Sequence, residues 1–156
     1  MKNVIYLCAL FLLMLITGVF WGTWFTLTRS IENFSAEEFT HIGKVIIANV
    51  ALPMRIIMPS GILFILLSLW IGRQKRTTGF YIGVLSLILI IIVLLITVMV
   101  LVPLDNVIKM WTTTTIPTDF KEIQLKWKSY HAIRTFFSLA SFLCFSIFII
   151  GDRSKE

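Results

Sequence analysis

Residues 80–104, FYIGVLSLILIIIVLLITVMVLVPL, run without a single charge. A helix of a soluble protein needs one apolar stripe, whereas here every face is apolar. A hydrocarbon core about 30 Å thick takes roughly 20 helical residues, so this stretch reads as a transmembrane helix. Working outward, residues 4–27, 45–71 and 130–150 form three more long apolar blocks. The expected fold is all-α: one polytopic membrane domain over residues 1–156, a four-transmembrane-helix bundle with short outer helices. The uniformly apolar third span is expected to face lipid and to do little chemistry.

Composition supports this class. Hydrophobic residues make up 58% of the chain and charged residues 14%, against about one quarter charged in soluble domains. The net charge of +6 fits the Lys and Arg that membrane proteins keep in loops and at span ends. No basic helix stands free of an apolar block, so nucleic acid is not an expected partner, and the lipid bilayer is. The first block follows Lys2 as a signal peptide would, but it is too long and lacks a small-x-small cleavage site. It is taken as the first span. Its Gly18-x-x-x-Gly22 would let another helix approach closely. The expected use is packing within the chain, with a homo-oligomer as the alternative. Cys8 and Cys144 each sit in an apolar run and form no Cys-x-x-Cys pair, which speaks against thiol exchange and a zinc site.

Arg73, Lys75 and Arg76 crowd one short loop with no acid among them. By the positive-inside rule that loop and both termini are cytoplasmic, and the expected location is the plasma membrane. Tyr6, Trp70, Phe80 and Tyr81 would then mark the inner interface, and Trp24, Trp111 and Trp127 the outer one.

The second span is the unusual one. Ser35-x-x-Glu38 is a capping box that opens a helix leading into it. Its first half then carries Asn49, Pro53, Arg55, Pro59, Ser60 and Gly61. An arginine near a bilayer centre costs about 2.5–3.5 kcal/mol on insertion scales, so Arg55 should point inward, either to an acid of the first loop or to a ligand. Further on, Pro117 precedes a second capping signature, Asp119-x-x-Glu122, and the helix it opens should run unbroken into the fourth span. On that helix Trp127, His131 and Arg134 are spaced i, i+4, i+7 and share a face, with Tyr130 at its edge. A polar site is expected between spans two and four, with Asn49 and Arg55 on one wall and Asp105 and Asn106 capping it. His41 and His131 are the only histidines, and no His-x3-His or Glu-x2-His pattern offers a metal site.

These residues carry a resemblance. Val102-Pro103-Leu104-Asp105-Asn106, Pro117-Thr118-Asp119 and Trp127-x-x-x-His131-x-x-Arg134 resemble the anthrone oxygenase-like membrane family, and the likeness covers most of the chain. One departure is Asp105, where the family pattern has Asn. The resemblance implies oxidation of anthrones to anthraquinones without a metal or flavin, so no cofactor is expected. It implies His131 as the base that removes a substrate proton and Arg134 or Arg55 as the group stabilising the oxyanion. Trp127 and Tyr130 would stack on a flat aromatic ligand.

The competing expectation is a non-enzymatic membrane protein that binds a lipid or hydrophobic molecule or supports a partner. A pocket beside His131 would favour ligand chemistry. Arg55 and Arg134 paired with Glu32, Glu37 or Glu38 would favour structure. Transport fits poorly, since no inverted repeat is evident and no acid lies inside a span.

Overall fold

A computed structural model describes residues 1–73 and 77–153. Its elements are α1 (Lys2–Thr26), a 3-10 turn (Thr28–Asn33), α2 (Ala36–Gly72), α3 (Thr78–Ile96), a π-helical turn (Thr97–Leu101), α4 (Val102–Met110) and α5 (Phe120–Arg153). No strand occurs among the described residues. Among the described residues, four helical stretches are long and apolar enough to cross a membrane: Lys2–Asn33, Ala36–Gly72, Thr78–Met110 and Phe120–Gly151. The protein is a polytopic, all-α membrane protein. Lys75 and Arg76, which support the reading of an inside loop, lie outside the described residues.

Both capping regions open long helices. The Ser35 hydroxyl accepts from Glu38 N–H, and the Glu38 carboxylate accepts from Ser35 N–H at 2.8 Å, so two orphan amides are satisfied. The helix opened there is continuous with the second span and starts well before it. At α5, Glu122 N–H donates to the Asp119 carbonyl at 3.0 Å, and the helix runs unbroken past Trp127 and His131.

Within hydrocarbon, helices gain little from hiding apolar surface from each other, and close packing and polar contacts take over. Between α3 and α5, the Ser86 hydroxyl donates to the Ser141 carbonyl at 2.8 Å, and the Ser141 hydroxyl donates to the Ser86 carbonyl at 2.9 Å. Gly83 allows this approach: a Cβ there would lie 2.8 Å from Leu69 Cδ2 and 2.9 Å from Phe148 Cγ. Gly83→Leu should therefore push α3 off α5 and destabilise the bundle by about 1–3 kcal/mol. Thermal unfolding in detergent, compared with the wild type, checks it. Against α1, Thr17 Oγ1 donates to the Ser138 carbonyl at 3.3 Å, and Thr135 Oγ1 to the Phe20 carbonyl at 3.2 Å.

Gly18 and Gly22 do not serve packing within the chain. Nothing lies within 4 Å of a Cβ built at either position. The aromatic belts also need correction. Trp70 and Tyr81 are exposed, but Tyr6 and Trp127 are fully buried. Tyr6 packs on Phe148, and Trp127 is held in the core by its own hydrogen bond.

The core forms two clusters. A long one holds Tyr6, Leu13, Phe20, Met54, Met58 and Phe148. A smaller one, at the end carrying the long loops, holds Ile31, Phe39, Leu101, Ile108, Trp111 and Trp127. The third span is broken where they meet. At the π turn, Val102 N–H donates to the Thr97 carbonyl, five residues back. The cause is Pro103, which has no N–H and whose ring would collide with the Met99 carbonyl in a regular helix. A wider turn relieves both problems, and such turns cluster at functional sites.

Candidate functional site

A cavity of about 340 Å³ lies on the seam between the two clusters. Phe20, Met54 and Met58 of the long cluster and Trp127 of the smaller one all reach its wall. Ligand pockets run from roughly 300 to 1,000 Å³, so the space suits a compact ring system.

The polar wall comes from α5. Trp127 and His131 are one helical turn apart, and their rings overlap with centroids 3.7 Å apart and planes tilted by 33°. His131 Nδ1 lies 2.9 Å from the Trp127 carbonyl oxygen. A carbonyl only accepts, so Nδ1 carries the proton and Nε2 is left with its lone pair. Among the described residues Nε2 has no hydrogen-bond partner. Trp127 Nε1–H donates to Asp105 Oδ1 at 3.0 Å, linking α5 to the helix after the π turn. Phe39 packs edge-on against the indole, with ring centroids 5.9 Å apart. Removing the indole donor while keeping the ring isolates this link: Trp127→Phe should cost about 1–2 kcal/mol, since Asp105 loses a donor to a charged, half-buried oxygen. Thermal unfolding in detergent measures it.

Arg134 lies one turn beyond His131, buried and on the cavity wall. Its guanidinium carbon sits 4.0 Å from the Phe20 ring centroid, a stacking arrangement that suits a planar cation. Its Nε is buried and has no hydrogen-bond partner among the described residues. Asp105 is the acid whose charge acts on it, yet the two form no close ion pair among the described residues. A buried cation so weakly compensated is costly, and such groups within a span tend to mark function.

The other expected residues divide. Arg55, Asp105 and Asn106 line the cavity with Trp127, His131 and Arg134. Arg55 is exposed on α2 and stands at the cavity's open side. Asn49 is exposed and Tyr130 half-buried, and neither lines the cavity. Tyr130 packs instead against the smaller cluster. Two of the three acids expected to compete for the arginines are used elsewhere: Glu32 pairs with Lys128 at 2.7 Å, and Glu38 caps α2.

Several lining residues were not singled out from the sequence. Lys109, Phe20, Thr23 and Thr97 all reach the cavity. Lys109 follows Asp105 by one helical turn, and that spacing was a usable signal. Leu94, Thr97 and Val98 show that the third span, besides facing lipid, lends its end to the cavity wall. No group of three or more potential metal ligands occurs among the described residues.

A family model described as anthrone oxygenase matches residues 47–144, which include every polar residue of the cavity wall except Thr23. No curated protein and no solved structure matches the chain.

Proposed function

The chain belongs to the anthrone oxygenase family, and from that premise we propose that it oxidises a hydrophobic aromatic substrate with molecular oxygen, without a metal or flavin. The observation that carries this reading is His131, with Nδ1 tied to a backbone carbonyl and Nε2 free as an acceptor beside a ring-sized cavity.

The chemistry needs few groups. His131 Nε2 takes a proton from a substrate methylene flanked by aromatic rings. The electron pair delocalises onto the ketone oxygen across the central ring, where the charge of Arg134 stabilises it. The electron-rich carbon then reduces oxygen and forms a carbon–oxygen bond, and the proton held by His131 completes a hydroperoxide. Loss of water leaves a carbonyl, so one oxygen atom enters the product and the other leaves as water. Trp127 fixes the imidazole plane by stacking, and Asp105 fixes Trp127. Met54 and Met58 supply an adaptable apolar floor. Substrate would come from the bilayer, through the side where Arg55 stands.

Lys2 and Arg73 lie at the end of the bundle shared with the amino terminus and the end of α5. Their charge supports the expectation of cytoplasmic termini, and in that orientation the cavity would lie in the outer half of the membrane.

The test is oxygen consumption by purified protein given an anthrone, read against spontaneous oxidation, with the quinone identified as product. Uptake no faster than the spontaneous rate would overturn the proposal. Binding of the anthrone without turnover would select the second reading, a ligand-binding protein, which the exposed position of Arg55 at the cavity opening also suits.

A further inference from the structure

The cavity's charges do not balance. Among the described residues, Arg55, Lys109 and Arg134 line it against a single carboxylate, Asp105, and Asp105 already accepts from Trp127. Arg134 is more than nine-tenths buried, and its Nε has no partner. Arg55 has no ion-pair partner among the described residues. Three cations sharing one carboxylate at the edge of hydrocarbon are incompletely compensated, and the simplest compensation is an anion brought by the ligand.

We propose that the cavity takes a hydrophobic anion: an apolar body that fills the space between the two clusters, carrying an ionised acid group held at the opening by Arg55 and Lys109. This deepens the reading above and rests on the same cavity, but it adds a requirement that oxygenation alone does not impose. A neutral ring would satisfy His131 and Arg134 and leave the two outer cations unused. Arg55 and Lys109 are both exposed and come from different helices on the open side. Such a pair can grip a carboxylate or phosphate without closing the route from the bilayer. Arginine supplies a planar fork for the two acid oxygens and lysine a mobile point charge. Either a free aromatic acid or the headgroup of an anionic lipid carries the required group.

The test compares 2-naphthoate with its methyl ester, which has nearly the same apolar body without the charge. Equilibrium binding is measured to full-length protein in nanodiscs of phosphatidylcholine. The acid should bind about tenfold more tightly than the ester, the worth of one good charge-assisted contact. The Arg55→Gln/Lys109→Gln double variant should erase that preference while leaving ester binding in place. Because both side chains are exposed, its unfolding temperature should match the wild type. Equal binding of acid and ester, or a preference that survives in the double variant, would overturn the proposal. Adding phosphatidylglycerol to the nanodiscs separates the sources. Competition with naphthoate supports the anion site with lipid as its occupant, and absence of competition supports it with a free acid. His131→Gln keeps the outcome apart from the catalytic reading: it should keep the acid preference even where oxygen uptake is lost.

Discussion

His131→Gln should lower turnover of an anthrone by about 10²–10⁴-fold, the range that a positioned general base contributes. Glutamine is close to histidine in size and can still donate to the Trp127 carbonyl that holds Nδ1 at 2.9 Å. Its amide cannot take a proton at neutral pH, so the substitution removes basicity and little else. Loss of ring overlap with Trp127 should cost only about 0.5–1.5 kcal/mol of stability, leaving the variant folded. The decisive measurement is made without oxygen. Wild-type protein in deuterated buffer should exchange the substrate's methylene hydrogens, because proton removal precedes the oxygen step. The variant should not accelerate that exchange over buffer. If it exchanges at the wild-type rate, His131 is not the base.

Much of this architecture was legible in the sequence, for physical reasons. Four long apolar blocks, two without a charge and two with a single arginine each, can hardly be anything but spans, because a soluble core leaves one face of each helix polar. The Trp127, His131 and Arg134 face was legible because a helix repeats every 3.6 residues, and all three reach the cavity. The same arithmetic, fully applied, would have separated Asn49 from Arg55. Six residues apart is about 600° of rotation, which leaves their side chains about 120° apart around the helix. Arg55 accordingly lines the cavity with Ile47, Val50, Met54 and Met58, while Asn49 does not. Tyr130 fails for a similar reason. It lies off the shared face and finds apolar neighbours in the smaller cluster.

What the sequence could not disclose depends on how helices meet. Phe20 becomes a stacking surface where α1 packs on α5, with Thr135 donating to the Phe20 carbonyl beside it. Thr97 lines the cavity where the widened turn before Pro103 begins, and hydropathy records a threonine in an apolar run with no hint of that turn. The open flank at Gly18 and Gly22 is another case. The spacing says that a close approach is allowed, and only the arrangement of the other helices says that none occurs within this chain.

Arg134→Met should separate function from stability most sharply. The guanidinium is buried, stacked on Phe20 at 4.0 Å, and carries an Nε without a partner. Replacing an incompletely paired buried charge with an apolar side chain of similar length is often neutral or stabilising. Methionine is flexible enough to lie along the Phe20 ring, so the variant should unfold at or above the wild-type temperature in detergent. Its turnover should fall by about 10²–10³-fold, the usual loss when one oxyanion-stabilising donor is removed. Arg134→Lys is the informative companion. It restores a positive charge but not the planar, stacked fork, so it should recover part of the rate without reaching the wild type. A marked fall in the unfolding temperature of Arg134→Met would mean that the arginine holds the bundle together through Asp105. Near-normal turnover in that variant would remove it from the chemistry. The expected pattern, a chain made no less stable by losing the residue it most needs, is what a charge kept in hydrocarbon for function should leave behind.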